Sequence, residues 1–138
     1  MKKKLLIAIV FVLLNSIVGC TSDKFDSYYK QFKESYIVAT NFVEKDNDSL
    51  KVLKKMNVTT VETELKKMKE YMDEMSTMLN SKIENGVYNN VKSYYQGIDF
   101  LLYAAKNNDT LSTDDKIKVD AEVLSAIMNR KSIKQGEE

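Results

Sequence analysis

The chain has 138 residues, 43% apolar and 30% charged, with a net charge of +1, which describes one ordinary globular domain rather than a disordered or fibrous chain. It holds no His, no Pro, no Trp, four Gly and one Cys. That composition excludes an imidazole base, a Ser-His-Asp or Cys-His nucleophile pair, the common zinc sites, an intramolecular disulfide and a Gly-rich phosphate loop.

Met1 is followed by Lys2, Lys3 and Lys4 and then by an apolar run from Leu5 to Leu14. A basic segment leading into a short apolar one is the pattern of a secretory signal. Extended to Val18, the stretch makes roughly 21 Å of helix at ~1.5 Å per residue. A spanning helix needs about 20 apolar residues. The segment is therefore too short for a comfortable permanent span.

Ile17-Val18-Gly19-Cys20 follows the apolar run. These four residues resemble the lipobox of bacterial lipoprotein precursors. The resemblance implies that the Cys20 thiol receives a diacylglyceryl group carrying palmitate-type chains. It further implies that a signal peptidase recognises Ile17, Val18 and Gly19 and cuts before Cys20. Each buried methylene contributes about 0.8 kcal/mol and one chain alone binds marginally, so two chains hold a protein on its membrane. The expected organisation is a signal peptide over 1–19, a lipidated N-terminus and tether over 20–24, a helical domain over 25–133 and a frayed polar tail over 134–138. The expected location is the extracytoplasmic face of the cell membrane.

Beyond the signal, acidic and basic residues are mixed in sign and nearly balanced. Nucleic-acid binding needs a clearly basic face. None is expected.

The remaining chain reads as helices. Phe25, Tyr28/Tyr29, Phe32, Tyr36, Ala39 and Phe42/Val43 recur at gaps of three and four, predicting a first helix over roughly 23–45. Asp46-Asn47-Asp48-Ser49 supplies turn and cap residues for a short helix with Leu50, Leu53 and Met56 on one side. Thr59 with Glu62 reads as a capping box opening the next helix. That helix carries Val61, Leu65, Met68, Met72, Met75 and Leu79 in a coiled-coil-like seam, with Asn85-Gly86 as its expected C-cap. Val87, Val91, Tyr94, Ile98, Leu101 and Ala105 repeat the spacing up to Asn107-Asn108-Asp109. Ser112 with Asp115 then caps a last segment whose stripe is Ile117, Ala121, Leu124 and Met128, ahead of a polar end from Lys131. The fold expected is all-α: a small antiparallel bundle of four main helices plus one short helical segment.

Few residues invite chemistry. Met68, Met72, Met75 and Met78 cluster on one helix. Thioethers are soft ligands that suit Cu(I), and flexible Met surfaces suit an apolar binding groove. Because Met72 and Met75 share the stripe of Leu65 and Leu79, core filling is the favoured reading. The tyrosine pairs Tyr28-Tyr29 and Tyr94-Tyr95 can each turn one ring to the core and one outward as a partner anchor. Met72, Met75, Met78, Tyr29 and Tyr95 are thus the candidate binding surface. Gly97 is either a close-approach position or a neutral one. Asp73-Glu74, Asp114-Asp115 and Glu62/Glu64 lie among Lys residues or at helix starts, where the helix dipole favours acids without catalysis. No nucleophile–base set exists, so no enzyme, cofactor or resident metal is expected. The function expected is a membrane-anchored interaction module contacting a protein or envelope partner. A carrier of an apolar ligand or metal through the Met-rich seam is the alternative.

Overall fold

The structure is a computed structural model and describes residues 22–136. The expected signal segment, the lipobox-like residues Ile17, Val18 and Gly19, and Cys20 lie outside the described residues. Within them the chain is all-α, with five α-helices and no strand. Helix α1 spans Asp23–Ala39 and runs into a 3-10 turn at Asn41–Glu44. Helix α2 spans Ser49–Lys54 and α3 spans Val58–Ser76. Helix α4 spans Lys82–Lys106, and α5 spans Thr113–Gln135.

Cross-helix contacts fix the directions of the four long helices. Tyr28, near the start of α1, packs against Tyr71 near the end of α3, with ring centroids 6.3 Å apart. Glu62, early in α3, forms an ion pair with Lys106 at the end of α4. On α5, Lys118 lies over the Phe100 ring of α4 and Glu122 over Gly97, so α5 runs back along α4, and Arg130 reaches the Ile37 carbonyl of α1. Successive helices are therefore antiparallel and form an up-down-up-down bundle. The shared core contains Phe25, Phe32 and Tyr36 of α1, Met68 and Met75 of α3, Ile98 and Leu101 of α4, and Val119 and Val123 of α5.

Several boundaries differ from the sequence expectation. Helix α1 ends at Ala39 rather than near 45. The Thr40 hydroxyl donates to the Tyr36 carbonyl at 2.6 Å, and Arg130 occupies the Ile37 carbonyl. The chain then tightens into 3-10 geometry, which still buries Phe42 and Val43. The α3 cap is Asn57, whose side chain accepts from the Thr60 N–H at 3.0 Å, not a Thr59–Glu62 box. Glu62 instead faces Lys106.

Helix α3 also stops earlier, at Ser76. Asn85-Gly86 lies inside α4 rather than capping α3, and Gly86 has ordinary helical backbone. The decisive signal is Ser81 with Glu84: the Ser81 Oγ accepts from the Glu84 N–H at 3.1 Å. A left-handed glycine does close a helix, but it is Gly136, with φ of 71°, at the end of α5. The polar end from Lys131 is helical as far as Gln135, where fraying was expected. Ile133 packs on the core there and Lys134 bonds to Glu44 at 2.8 Å.

The largest departure concerns which side of α5 faces inward. The expected stripe points to solvent: Ile117 is 64%, Leu124 59% and Met128 62% exposed, and Ala121 is exposed as well. Val119, Val123, Ala126 and Arg130 are buried instead. Both rows have heptad-like spacing and lie on opposite faces of one helix.

Candidate binding surfaces

Three places bear on binding: the end where the chain enters the bundle, the junction around Arg130, and the outer face of α5. The first is built on Glu84. Its carboxylate accepts from the Asn80 N–H at 2.7 Å and from the Ser22 N–H at 3.3 Å. Ser22 in turn caps α1, its Oγ accepting from the Phe25 N–H at 3.1 Å. One buried carboxylate thus joins the starts of α1 and α4. The backbone bond from Asn80, followed by that from Ser22, holds the Glu84 carboxyl below the usual glutamate range against the opposing effect of burial. Ser22 is two residues beyond Cys20, so the chain is fastened almost immediately after that residue.

At the second place, Arg130 is buried and serves three acceptors. Its Nε donates to Glu44 Oε1 at 2.7 Å and its guanidinium to the Ile37 carbonyl and to Thr40 Oγ1 at 3.2 Å. Helix α1 has no basic residue in its own last turn. Arg130 supplies a cation to that negative helix end from α5. Glu44, half-exposed, also accepts from Lys134 at 2.8 Å. The Arg130 bond, followed by the Lys134 bond, lowers its carboxyl to about 2. Beside this junction lies an open groove of about 400 Å³, lined by Val38, Phe42, Lys55, Asn57, Thr60 and Arg130 among others. A second polar groove, about 520 Å³, runs between α4 and α5 past Gln96, Gly97, Lys118 and Glu122.

The third place is the exposed α5 row. The chain matches no protein family, no curated protein and no solved structure.

The sequence-based binding residues are distributed differently from expectation. Met72 and Met75 are 6% and 0% exposed, inside the bundle with Met68, and are not available as surface. Their stripe is the sole apolar face of α3, the opposite side carrying Lys66, Lys69, Glu70 and Asp73, so it must turn inward. Met78 is half-buried in the link between α3 and α4. Tyr29 and Tyr95 are also half-buried, and so are their neighbours Tyr28 and Tyr94. Consecutive helical residues are about 100° apart, so each pair straddles the edge of its stripe rather than splitting between core and solvent. Lys33 sits 4.3 Å over the Tyr29 ring, and burial, then Asp99, pushes the Tyr95 hydroxyl above its usual range.

Gly97 is a close-approach position: an added Cβ would lie 2.6 Å from Glu122 Oε2. Among the described residues no three Asp, Glu, His or Cys side chains converge as a metal site. No helix among them is long and apolar enough to cross a membrane. Sequence reasoning missed Arg130 and Glu84. For Glu84 the signal was present, as Ser81-x-x-Glu84 repeats the capping-box pattern assigned to Thr59 and Glu62. For Arg130 the available hint was a single arginine within an apolar spacing.

Proposed function

We propose that this protein is an exported lipoprotein, held on the extracytoplasmic face of the cell membrane by a diacylglyceryl group on Cys20, and that it acts by binding rather than catalysis. The observation that carries this reading is Ile17-Val18-Gly19-Cys20 placed directly after a basic and an apolar segment. The fastening of Ser22 by Glu84 supports it, because so short a tether keeps the bundle against the bilayer. Confinement of that kind raises the effective concentration of the bundle toward membrane-bound partners. The carrier alternative requires the methionine seam to open. Met68, Met72 and Met75 are closed within the bundle, which favours a surface-acting module.

Replacing Cys20 with Ser tests the anchor. The wild-type chain incorporates labelled fatty acid and sediments with membranes. The Cys20→Ser chain incorporates none, and either stays an uncleaved precursor or leaves the membrane fraction. A processed Cys20→Ser chain that stayed on the membrane would overturn the reading.

A further inference from the structure

Ile117, Ala121, Leu124 and Met128 form an apolar row on the outer face of α5, spaced by four, three and four residues. Monomeric proteins scatter single exposed apolar residues, whereas a contiguous row along one helix marks a contact. The row obeys the spacing of a coiled-coil seam. What continues the seam at each end identifies its occupant. One step before Ile117 is Asp114, and one step after Met128 is Lys131, both exposed. Among the described residues neither takes part in an ion pair within the monomer.

We propose that the occupant is α5 of a second copy of this chain, packed antiparallel about a two-fold axis between residues 122 and 123. That register places Ile117 opposite the partner's Met128 and Ala121 opposite the partner's Leu124. It also places Asp114 opposite the partner's Lys131, closing the seam at both ends with opposite charges. Ala121 leaves space for the larger Leu124 across the axis. A parallel pair would instead set Asp114 against Asp114 and Lys131 against Lys131. The interface is isologous, as closed dimers require.

A single helix pair buries less than the ~1,200 Å² of a standard interface. The dimer is accordingly a weak one, populated where both copies share a surface. That dependence on confinement rests on the anchoring reading.

The test uses the full chain in intact cells, with two differently tagged copies, one carrying Ala121→Cys and the other Leu124→Cys. Mild oxidation is followed by separation of membrane and soluble fractions, and a chain with Cys20 alone sets the background. The expected result is a mixed-tag disulfide dimer above that background and above the same-tag Ala121→Cys product. Asp114→Lys lowers its yield about fivefold, because two rim contacts become repulsive. The double change Asp114→Lys with Lys131→Asp restores it. Both positions are exposed, so neither change removes a core contact.

Restoration by the swap is specific to a self-partner, since a lipid surface or a foreign protein would not follow the exchange. Absence of the mixed dimer, or a double variant no better than the single one, overturns the proposal. The membrane fraction is read separately. A dimer among chains outside it would refute the anchor alone, and membrane-bound chains without a dimer would refute the pairing alone.

Discussion

Helices α3 and α5 carry apolar rows of the same spacing and meet opposite fates. On α3, Val61, Leu65, Met68, Met72 and Met75 are all buried. On α5, Ile117, Ala121, Leu124 and Met128 are all exposed, and a second row through Val119, Val123 and Ala126 takes the core instead. The difference lies in the rest of each helix. Helix α3 has one apolar face and a charged reverse, so periodicity decides its orientation. Helix α5 is apolar on two opposite sides, and the exposed row is the bulkier of the two, so transfer free energy alone does not select the buried face. A few specific contacts then select the orientation. Arg130 continues the inner row and bonds to Glu44, Thr40 and the Ile37 carbonyl. No comparable group extends the outer row. A helix with two seams is therefore positioned by its polar contacts and keeps one seam for another use.

Truncation in each row has the largest expected effect. Met72→Ala is expected to cost about 2–5 kcal/mol, the range for large-to-small core changes. Met128→Ala is expected to stay within about 0.5 kcal/mol in the monomer, as for surface changes. Urea unfolding of the purified protein measures both. Equal losses at the two positions would mean that the outer row of α5 is packed.

Arg130 is the next test. Arg130→Ala removes three hydrogen bonds, one of them to a carboxylate, and is expected to cost about 3 kcal/mol. Arg130→Lys keeps the charge without the planar fork and is expected to recover only part of that loss. Full stability of Arg130→Ala would remove the stated reason for the choice of face.

The pH dependence isolates the Glu44 end of the same junction. The bonds from Arg130 and Lys134 lower its carboxyl to about 2, from an ordinary value of 4.5. Folded protein thus keeps the carboxylate ionised to lower pH than the unfolded chain does. The stabilisation is complete above about pH 4.5 and disappears as pH falls toward 2. Melting temperatures followed from pH 6 down to 2 should fall less steeply in Glu44→Gln than in the wild type. An unchanged slope would detach Glu44 from α5 anchoring.

The smallest effect is expected at Gly97, where α5 crosses α4. An added methyl meets only the carboxylate end of Glu122, which can swing into the adjoining groove. Relief of the glycine cost in a helix, about 1 kcal/mol relative to Ala, then leaves Gly97→Ala neutral or stabilised by up to about 1 kcal/mol. A clear loss of stability would show that α5 is held at this crossing as rigidly as at Arg130.

Much of the fold was legible in local signals. Gaps of three and four marked each long helix. Asp48 and Ser112 acted as the caps their positions suggested, accepting from the Lys51 and Asp115 N–H groups. Such bonds span three residues, so the sequence around them contains both partners. Two competing signals misled at one junction: Asn85-Gly86 looks like a helix end, and Ser81 with Glu84 looks like a helix start. The start prevailed because Glu84 also satisfies the Ser22 N–H, 62 residues away.

Short-range patterns in the sequence carried the all-helical chain, the α3 and α4 seams and the caps at Asp48 and Ser112. Each of these is a short-range pattern whose meaning does not depend on the rest of the fold. Only the tertiary structure decided where α1 breaks and which row of α5 faces the core. The choice of row depends on Arg130 meeting Thr40 and Glu44, partners 90 and 86 residues distant along the chain, and the α1 break adds Arg130 on the Ile37 carbonyl to the local Thr40–Tyr36 bond. Periodicity can show that a helix has an apolar face. When it has two, the choice falls to hydrogen bonds that exist only after the chain has folded back on itself.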